Sequence, residues 1–96
     1  WPGFSQNMRV LRWIVERCHG RAHAITTPLG LEPDYRDLDW RGLDFPREKF
    51  DQVMRIDASM WRRELAAHDE LFSKLGRKRP SALDQERRRL GERLGV

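Results

Sequence analysis

Apolar residues recur at helical spacing in several stretches of the chain and lose all period in one. From Asn7 to His19, the residues Leu11, Ile14, Val15 and Cys18 fall at i, i+3, i+4 and i+7, with Met8 one turn earlier. Arg9, Arg12 and Glu16 take the opposite side. This predicts an amphipathic helix over 7–19, N-capped by Asn7 or Ser5 and stopped by a left-handed Gly20, with Cys18 buried on its apolar face. Residues 21–45 show no helical period. Thr26-Thr27-Pro28-Leu29-Gly30 and Glu32-Pro33-Asp34 are turn chemistry, leaving room for one short strand around 23–27. Twenty-five residues without strong structure is long for a loop, so this connector is expected to pack against something outside the chain. A short helix is predicted over 46–55, with Pro46 in its first turn and Phe50, Val53 and Met54 inward. Asp57 is expected to cap a longer helix, striped by Trp61, Leu65, Ala67 or His68, Phe72 and Leu75 and ended by Gly76. Pro80-Ser81 opens a final helix whose apolar positions are Leu83, Leu90 and Leu94. The expected fold is therefore mainly α-helical, with an irregular middle and a short strand.

Composition narrows the class. The chain has 96 residues, 39% hydrophobic and 35% charged, with 4 Trp and 4 Phe. Its mean hydropathy of −0.81 is low, yet so many large aromatics do not suit a disordered tail. Apolar runs such as Trp13-Ile14-Val15 fall far short of the roughly 20 residues of a membrane span, so no membrane partner is expected. No signal peptide is recognisable, and the single Cys18 cannot form an internal disulfide, which points to a cytoplasmic protein. Because the chain starts at Trp1 rather than Met, it is expected to be a piece of a longer one.

Charge adds little. The net +4 resides in residues 77–96, where seven basic groups meet three acidic ones. The carboxylates are interleaved so that Asp84 can meet Arg88 and Glu86 can meet Arg89 along a helix, and no aromatic is available there to stack on bases. A solvated helix face is expected, not a nucleic-acid partner. His19 and His23 are four apart, but Gly20 breaks the helix between them and no further ligand completes a metal set. His68 reads as a packing residue. No GxSxG, CxxC, GxGxxG or GxxxxGK[ST] pattern occurs, and no catalytic residue is assigned.

What remains is the opening string Trp1-Pro2-Gly3-Phe4-Ser5-Gln6-Asn7-Met8-Arg9-Val10. Pro2 and Gly3 suit a tight turn that projects the aromatics Trp1 and Phe4 just before a helix start. An aromatic face can stack on a planar base while an amide or backbone N–H reads its edge. Equally, Phe4 can staple onto the first helical turn while Asn7 merely caps.

At this string the sequence resembles the GTP-dependent phosphoenolpyruvate carboxykinase family, in which the segment reads roughly WPGFGEN-x-RVL-x-W. Trp1, Pro2, Gly3, Phe4, Asn7, Arg9, Val10, Leu11 and Trp13 match, as do Ile14, Arg17, Gly20 and Ala22, then Thr27, Pro28, Leu29 and Gly30. The resemblance implies the C-terminal part of the nucleotide-binding lobe of a two-lobed α/β enzyme. Residues 1–20 would be the guanine-pocket loop and helix, 21–45 an irregular connector, and 46–96 the C-terminal helices. It implies an enzyme that converts oxaloacetate and GTP to phosphoenolpyruvate, GDP and carbon dioxide in gluconeogenesis, as a monomer acting on small molecules with Mn²⁺ and Mg²⁺. Phe4, Ser5, Gln6 and Asn7 would contact the guanine of GTP. The phosphate loop, metal ligands, oxaloacetate-binding arginines and lid would lie upstream of Trp1, leaving this piece inactive alone. Ser5 and Gln6 stand where the family has Gly and Glu. If that Gly has positive φ, Ser5 is strained by about 1 kcal/mol, and losing the Glu removes a favourable helix-dipole interaction. Leu31 stands where Tyr is frequent. Two other classes compete on the residues alone: a small helical protein-interaction module and a basic RNA-binding domain.

Overall fold

The computed structural model describes residues 1–96. Four helices form, α1 (Asn7–Cys18), α2 (Arg47–Met54), α3 (Ala58–Leu75) and α4 (Ser81–Leu94), and short 3-10 turns precede α1, α2 and α4. A single antiparallel hairpin, β1 (Ile25–Thr27) and β2 (Gly30–Glu32), follows α1. The chain divides into two compact units, Trp1–Arg55 and Ile56–Val96.

In the first unit α1 ends as its sequence dictates. Gly20 adopts φ 70°, and paired bonds from Arg21 N–H to Glu16 O (2.9 Å) and Gly20 N–H to Arg17 O (3.0 Å) close a Schellman turn. The start of α1 differs from expectation: no side chain caps it. Asn7 Oδ1 instead accepts from the Trp1 indole. The apolar stripe also faces the other way. Met8, Leu11, Ile14 and Val15 are exposed, as is Cys18. Trp13, which lies off that stripe, is the residue α1 buries, and its indole N–H donates to His23 O at 2.9 Å.

The connector supplies the core against which Trp13 packs. Trp13, Leu38 and Phe50 are its buried centre, ringed by Ala22, Ala24, Tyr35, Trp40, Phe45 and Met54. Tyr35 stacks on Trp40 at 4.8 Å and 17°, and both meet Phe50 edge-on. Each polar handle among these rings is satisfied: Tyr35 Oη donates to Phe45 O (2.7 Å) and Trp40 Nε1 to Tyr35 O (2.7 Å). A 3-10 turn, Tyr35–Asp37, is held by a reciprocal capping box between Asp34 and Asp37. The aromatics of 21–45 thus pack on one another and on α1 and α2, while Ile25, Leu29 and Leu31 of the same segment are exposed. One strand was expected and two form. Pro28 and Leu29 make the turn, pairing Thr27 with Gly30 and Ile25 with Glu32. The Thr27 hydroxyl donates to Gly30 O (3.1 Å) and accepts from Leu29 N–H (3.1 Å), tightening that turn. In α2, Phe50 is buried and Met54 half-buried, while Val53 is exposed and Pro46 flanks the helix rather than opening it.

The second unit is a helical hairpin. Asp57 caps α3 as expected, its carboxylate accepting from Ser59 N–H (2.8 Å) and Met60 N–H (3.2 Å). Trp61, Leu65, His68 and Phe72 form the inward stripe, with Leu65 only 2% exposed, and Ala67 points outward. Gly91 of α4 is buried, and a Cβ there would lie 3.7 Å from Leu65 Cδ1. Arg87 clasps the Asp69 carboxylate through two bonds of 2.7 Å across the hairpin. Glu86 pairs with Arg89 as expected (2.6 Å), but Asp84 pairs with Arg79 (2.9 Å) rather than Arg88.

Candidate functional site

The opening string forms a braced loop that leads into α1. Gly3 has φ 133° and ψ 170°, a conformation open in practice to glycine alone. Its carbonyl accepts from Gln6 N–H at 3.0 Å, closing a 3-10 turn over Phe4–Gln6. Ser5 lies within this turn, and no residue other than glycine has positive φ. The strain anticipated at Ser5 is therefore absent; the glycine requirement sits two residues earlier.

Trp1 does not project freely as its position suggested. Its ring packs edge-on against Trp40 (6.2 Å) and Phe45 (6.1 Å), leaving it 41% exposed. Its indole N–H donates to Asn7 Oδ1 at 2.8 Å. Phe4 does the opposite. It is 90% exposed, so it does not staple onto the first turn of α1. A bare phenyl ring in water forfeits the benefit of burial, roughly 1.5–3 kcal/mol for a side chain of this size.

Gln6 and Asn7 complete the loop. Gln6 Oε1 accepts from Arg9 Nε at 2.8 Å, and the same guanidinium donates to Asp39 O and to Arg41 O (2.8 Å). Arg9 thereby ties the loop to the aromatic connector. The backbone N–H of Asn7 is committed to Phe4 O. Of the two donors that Asn7 could offer, only the side-chain Nδ2 remains available. Beside it a hollow of about 400 Å³ is lined by Trp1, Asn7, Val10 and Leu11. Phe4 stands outside that hollow. This chain therefore brings Trp1 and Asn7 together and holds Phe4 and Ser5 beside them as exposed neighbours.

A second cleft of about 420 Å³ lies elsewhere in this unit, between α1 and residues 21–39. Much of its lining is internally bonded: Arg12 pairs with Asp39 (3.3 Å) and Arg21 with Glu16 (2.8 Å), and His23 Nδ1 lies 3.1 Å from Asp37 Oδ2. Hydrogen bonds from the Arg41 guanidinium and backbone N–H hold the Asp39 carboxyl well below the usual range. The Arg21 guanidinium likewise lowers Glu16. The two histidines once considered as a pair turn to different partners, His19 Nδ1 to Val15 O (2.8 Å) and His23 to Asp37. No three His, Cys, Asp or Glu side chains converge as a metal set. No helix is long and apolar enough to cross a membrane.

Sequence reasoning singled out Phe4 to Asn7 but not Trp1 as a partner of Asn7, nor Arg9 as the brace. An indole six residues from an amide carries no periodic signal, and Arg9 reads as an ordinary solvent-facing position of α1.

The sequence matches the family described as phosphoenolpyruvate carboxykinase C-terminal P-loop domain over residues 1–93. A phosphoenolpyruvate carboxykinase [GTP] of Paenarthrobacter aurescens (strain TC1) is 41% identical over 95 residues, which cover 99% of this chain and 16% of that protein. Proteins of the same name from Arthrobacter sp. (strain FB24) and Anaeromyxobacter sp. (strain K) are each 43% identical over 94 residues. These cover 98% of this chain and 15% and 16% of the two relatives. The chain thus spans about one sixth of the length of the curated relatives it matches. The match supports neither the helical interaction module nor the RNA-binding domain. The chain belongs to the GTP-dependent phosphoenolpyruvate carboxykinase family.

Proposed function

We propose that this chain is the C-terminal part of the nucleotide-binding lobe of an α/β phosphoenolpyruvate carboxykinase and supplies one edge of its guanine pocket. The whole enzyme would convert oxaloacetate and GTP to phosphoenolpyruvate, GDP and carbon dioxide, as a cytoplasmic monomer serving gluconeogenesis. Residues 1–20 form the base-contacting loop and its helix, 21–45 the connector that braces them, and 46–96 the C-terminal helices. Phe4 stacks on the base, Asn7 donates to the guanine carbonyl oxygen, and Ser5 and Gln6 shape the loop between them. Metal and phosphate chemistry belongs to residues outside this chain.

The observation that carries this reading is the exposure of Phe4, 90%, in a loop otherwise fixed by Gly3, Gln6 and Asn7. A rigidly presented but unburied aromatic suits a planar partner. Adenine carries an amine where guanine has its carbonyl, so against Asn7 Nδ2 it would set donor against donor. Such an unpaired group costs on the order of 1–3 kcal/mol, enough for a tenfold or larger preference for GTP.

The test is kcat/KM for GTP, inosine triphosphate and ATP in the full-length enzyme and two variants. Phe4→Ala should weaken all three alike, because stacking is indifferent to edge chemistry. Asn7→Ala should narrow the gap between GTP and ATP. If Phe4→Ala leaves every value within about twofold, or roughly 0.4 kcal/mol, the stacking role is wrong.

A further inference from the structure

An asparagine amide has two chemically opposite ends on one rotor. Nδ2 donates and Oδ1 accepts, and a half-turn about the last torsion exchanges them. An unrestrained Asn7 could therefore accept from adenine as readily as it donates to guanine. In this structure the rotor is restrained. An indole N–H can only donate, so the end of Asn7 that faces Trp1 Nε1 at 2.8 Å must be Oδ1. Nδ2 is then the end left over, and it has no partner within the chain. The backbone N–H offers no alternative reading group, because it is bonded to Phe4 O.

Trp1 is itself well placed to act as a stop. Its ring leans edge-on against Trp40 and Phe45, and Trp40 stacks on Tyr35. The rotor of Asn7 is thus referred back, through one hydrogen bond, to the aromatic core of the unit. The hollow lined by Trp1, Asn7, Val10 and Leu11 leaves space beside this pair.

We propose that Trp1 is a positioning residue that sets base selectivity by locking the Asn7 amide with its donor end toward the nucleotide. This rests on the reading that Asn7 meets the 6-position of the purine. Trp1 touches neither the base nor the reacting atoms; it removes the orientation of Asn7 that would welcome an amine.

The test uses the full-length enzyme and the ratio of kcat/KM for GTP to that for ATP. Trp1→Phe keeps an aromatic ring against Trp40 and Phe45 while removing the indole N–H together with the pyrrole part of the ring. The ratio should fall about tenfold, the worth of one hydrogen-bond preference. The loss should appear in KM for GTP, and ATP should improve. Asn7→Asp provides the control. A carboxylate presents the same oxygen at both ends and has no orientation to lock, so Trp1→Phe in that background should leave the ratio within about twofold. An equal loss of GTP and ATP activity in Trp1→Phe with Asn7 intact, or a ratio that falls just as far in the Asn7→Asp background, would mean that Trp1 does not act through the Asn7 amide and would overturn the proposal. An unchanged ratio in Trp1→Phe, alongside a narrowed one in Asn7→Ala, would overturn the role of Trp1 while leaving that of Asn7 intact. Unchanged ratios in both would remove the reading of Asn7 itself.

Discussion

Replacing Gly3 by alanine tests whether the loop geometry is stored in one backbone conformation. At φ 133° and ψ 170° an L-residue with a Cβ is strained, and such conformations cost of the order of 1–3 kcal/mol. Nothing lies within 4 Å of where that Cβ would sit, so no steric clash with a neighbour contributes. Alanine also restricts the unfolded chain, which returns about 0.4–1 kcal/mol. The net expectation is a destabilisation of about 1–2 kcal/mol. Ser5→Gly should act in the same direction for a different reason. Ser5 has no positive φ to relieve, so the glycine usual in the family brings only backbone entropy here, costing about 0.5–1 kcal/mol. Guanidinium unfolding of the chain, followed by near-ultraviolet dichroism of the tryptophans, measures both. Exchange of the Gln6 amide, bonded to Gly3 O, reports the loop alone. If Gly3→Ala lies within about 0.5 kcal/mol of the parent, the scatter of an ordinary surface change, and Gln6 exchange is unaltered, the backbone argument is wrong. A stabilising Ser5→Gly would likewise restore the idea of strain at position 5.

Two further outcomes follow from the first unit. Amides of Asp37 and Leu38, bonded to Asp34 O (2.9 Å) and Tyr35 O (3.4 Å) beside the buried Leu38, should exchange more slowly than that of Leu29 at the hairpin tip; equal rates across these positions would return the connector to a passive loop. Burial raises the Asp37 carboxyl, but hydrogen bonds from His23 and from Asp34 N–H outweigh it and hold the group below its ordinary 3.8, so its stabilisation is complete above that pH and is lost as pH falls through the folded value. The thermal midpoint should therefore drop between pH 5 and pH 3 and drop less in Asp37→Asn, while identical acid sensitivity in the two proteins would exclude the contribution.

Helix existence was legible because periodicity and punctuation agree along this chain. Gly20 and Asp57 act as the sequence indicates, one as a left-handed stop and one as a carboxylate cap. The return strand Gly30–Glu32 was not legible. Three residues beginning with glycine and ending before Pro33 carry no alternation, and their pairing depends on the Thr27 hydroxyl closing the turn. Phe4 and Asn7 were legible as an aromatic and an amide at a helix start. Their division of labour with Trp1 was not, because two rings in one turn look alike until their neighbours are known.

The orientation of α1 shows most clearly where pattern and packing part. Periodicity establishes that a helix has two kinds of face; it does not decide which one the folded unit covers. Here Trp13 is covered, and beside it the half-buried Arg9 donates to the Asp39 and Arg41 carbonyls of the connector. A large aromatic with a satisfied indole and an arginine with three acceptors can outweigh a stripe of four aliphatic or thioether side chains, because each also discharges polar groups that burial would penalise. The same choice fixes the opening loop. By turning Trp13 and Arg9 toward the connector, α1 presents Asn7 to Trp1, whose own ring lies against Trp40 and Phe45. The connector is thus the foundation of the proposed base-contacting edge, and changes at Trp40 reach Asn7 through one ring and one hydrogen bond, those at Tyr35 through two rings and the same hydrogen bond.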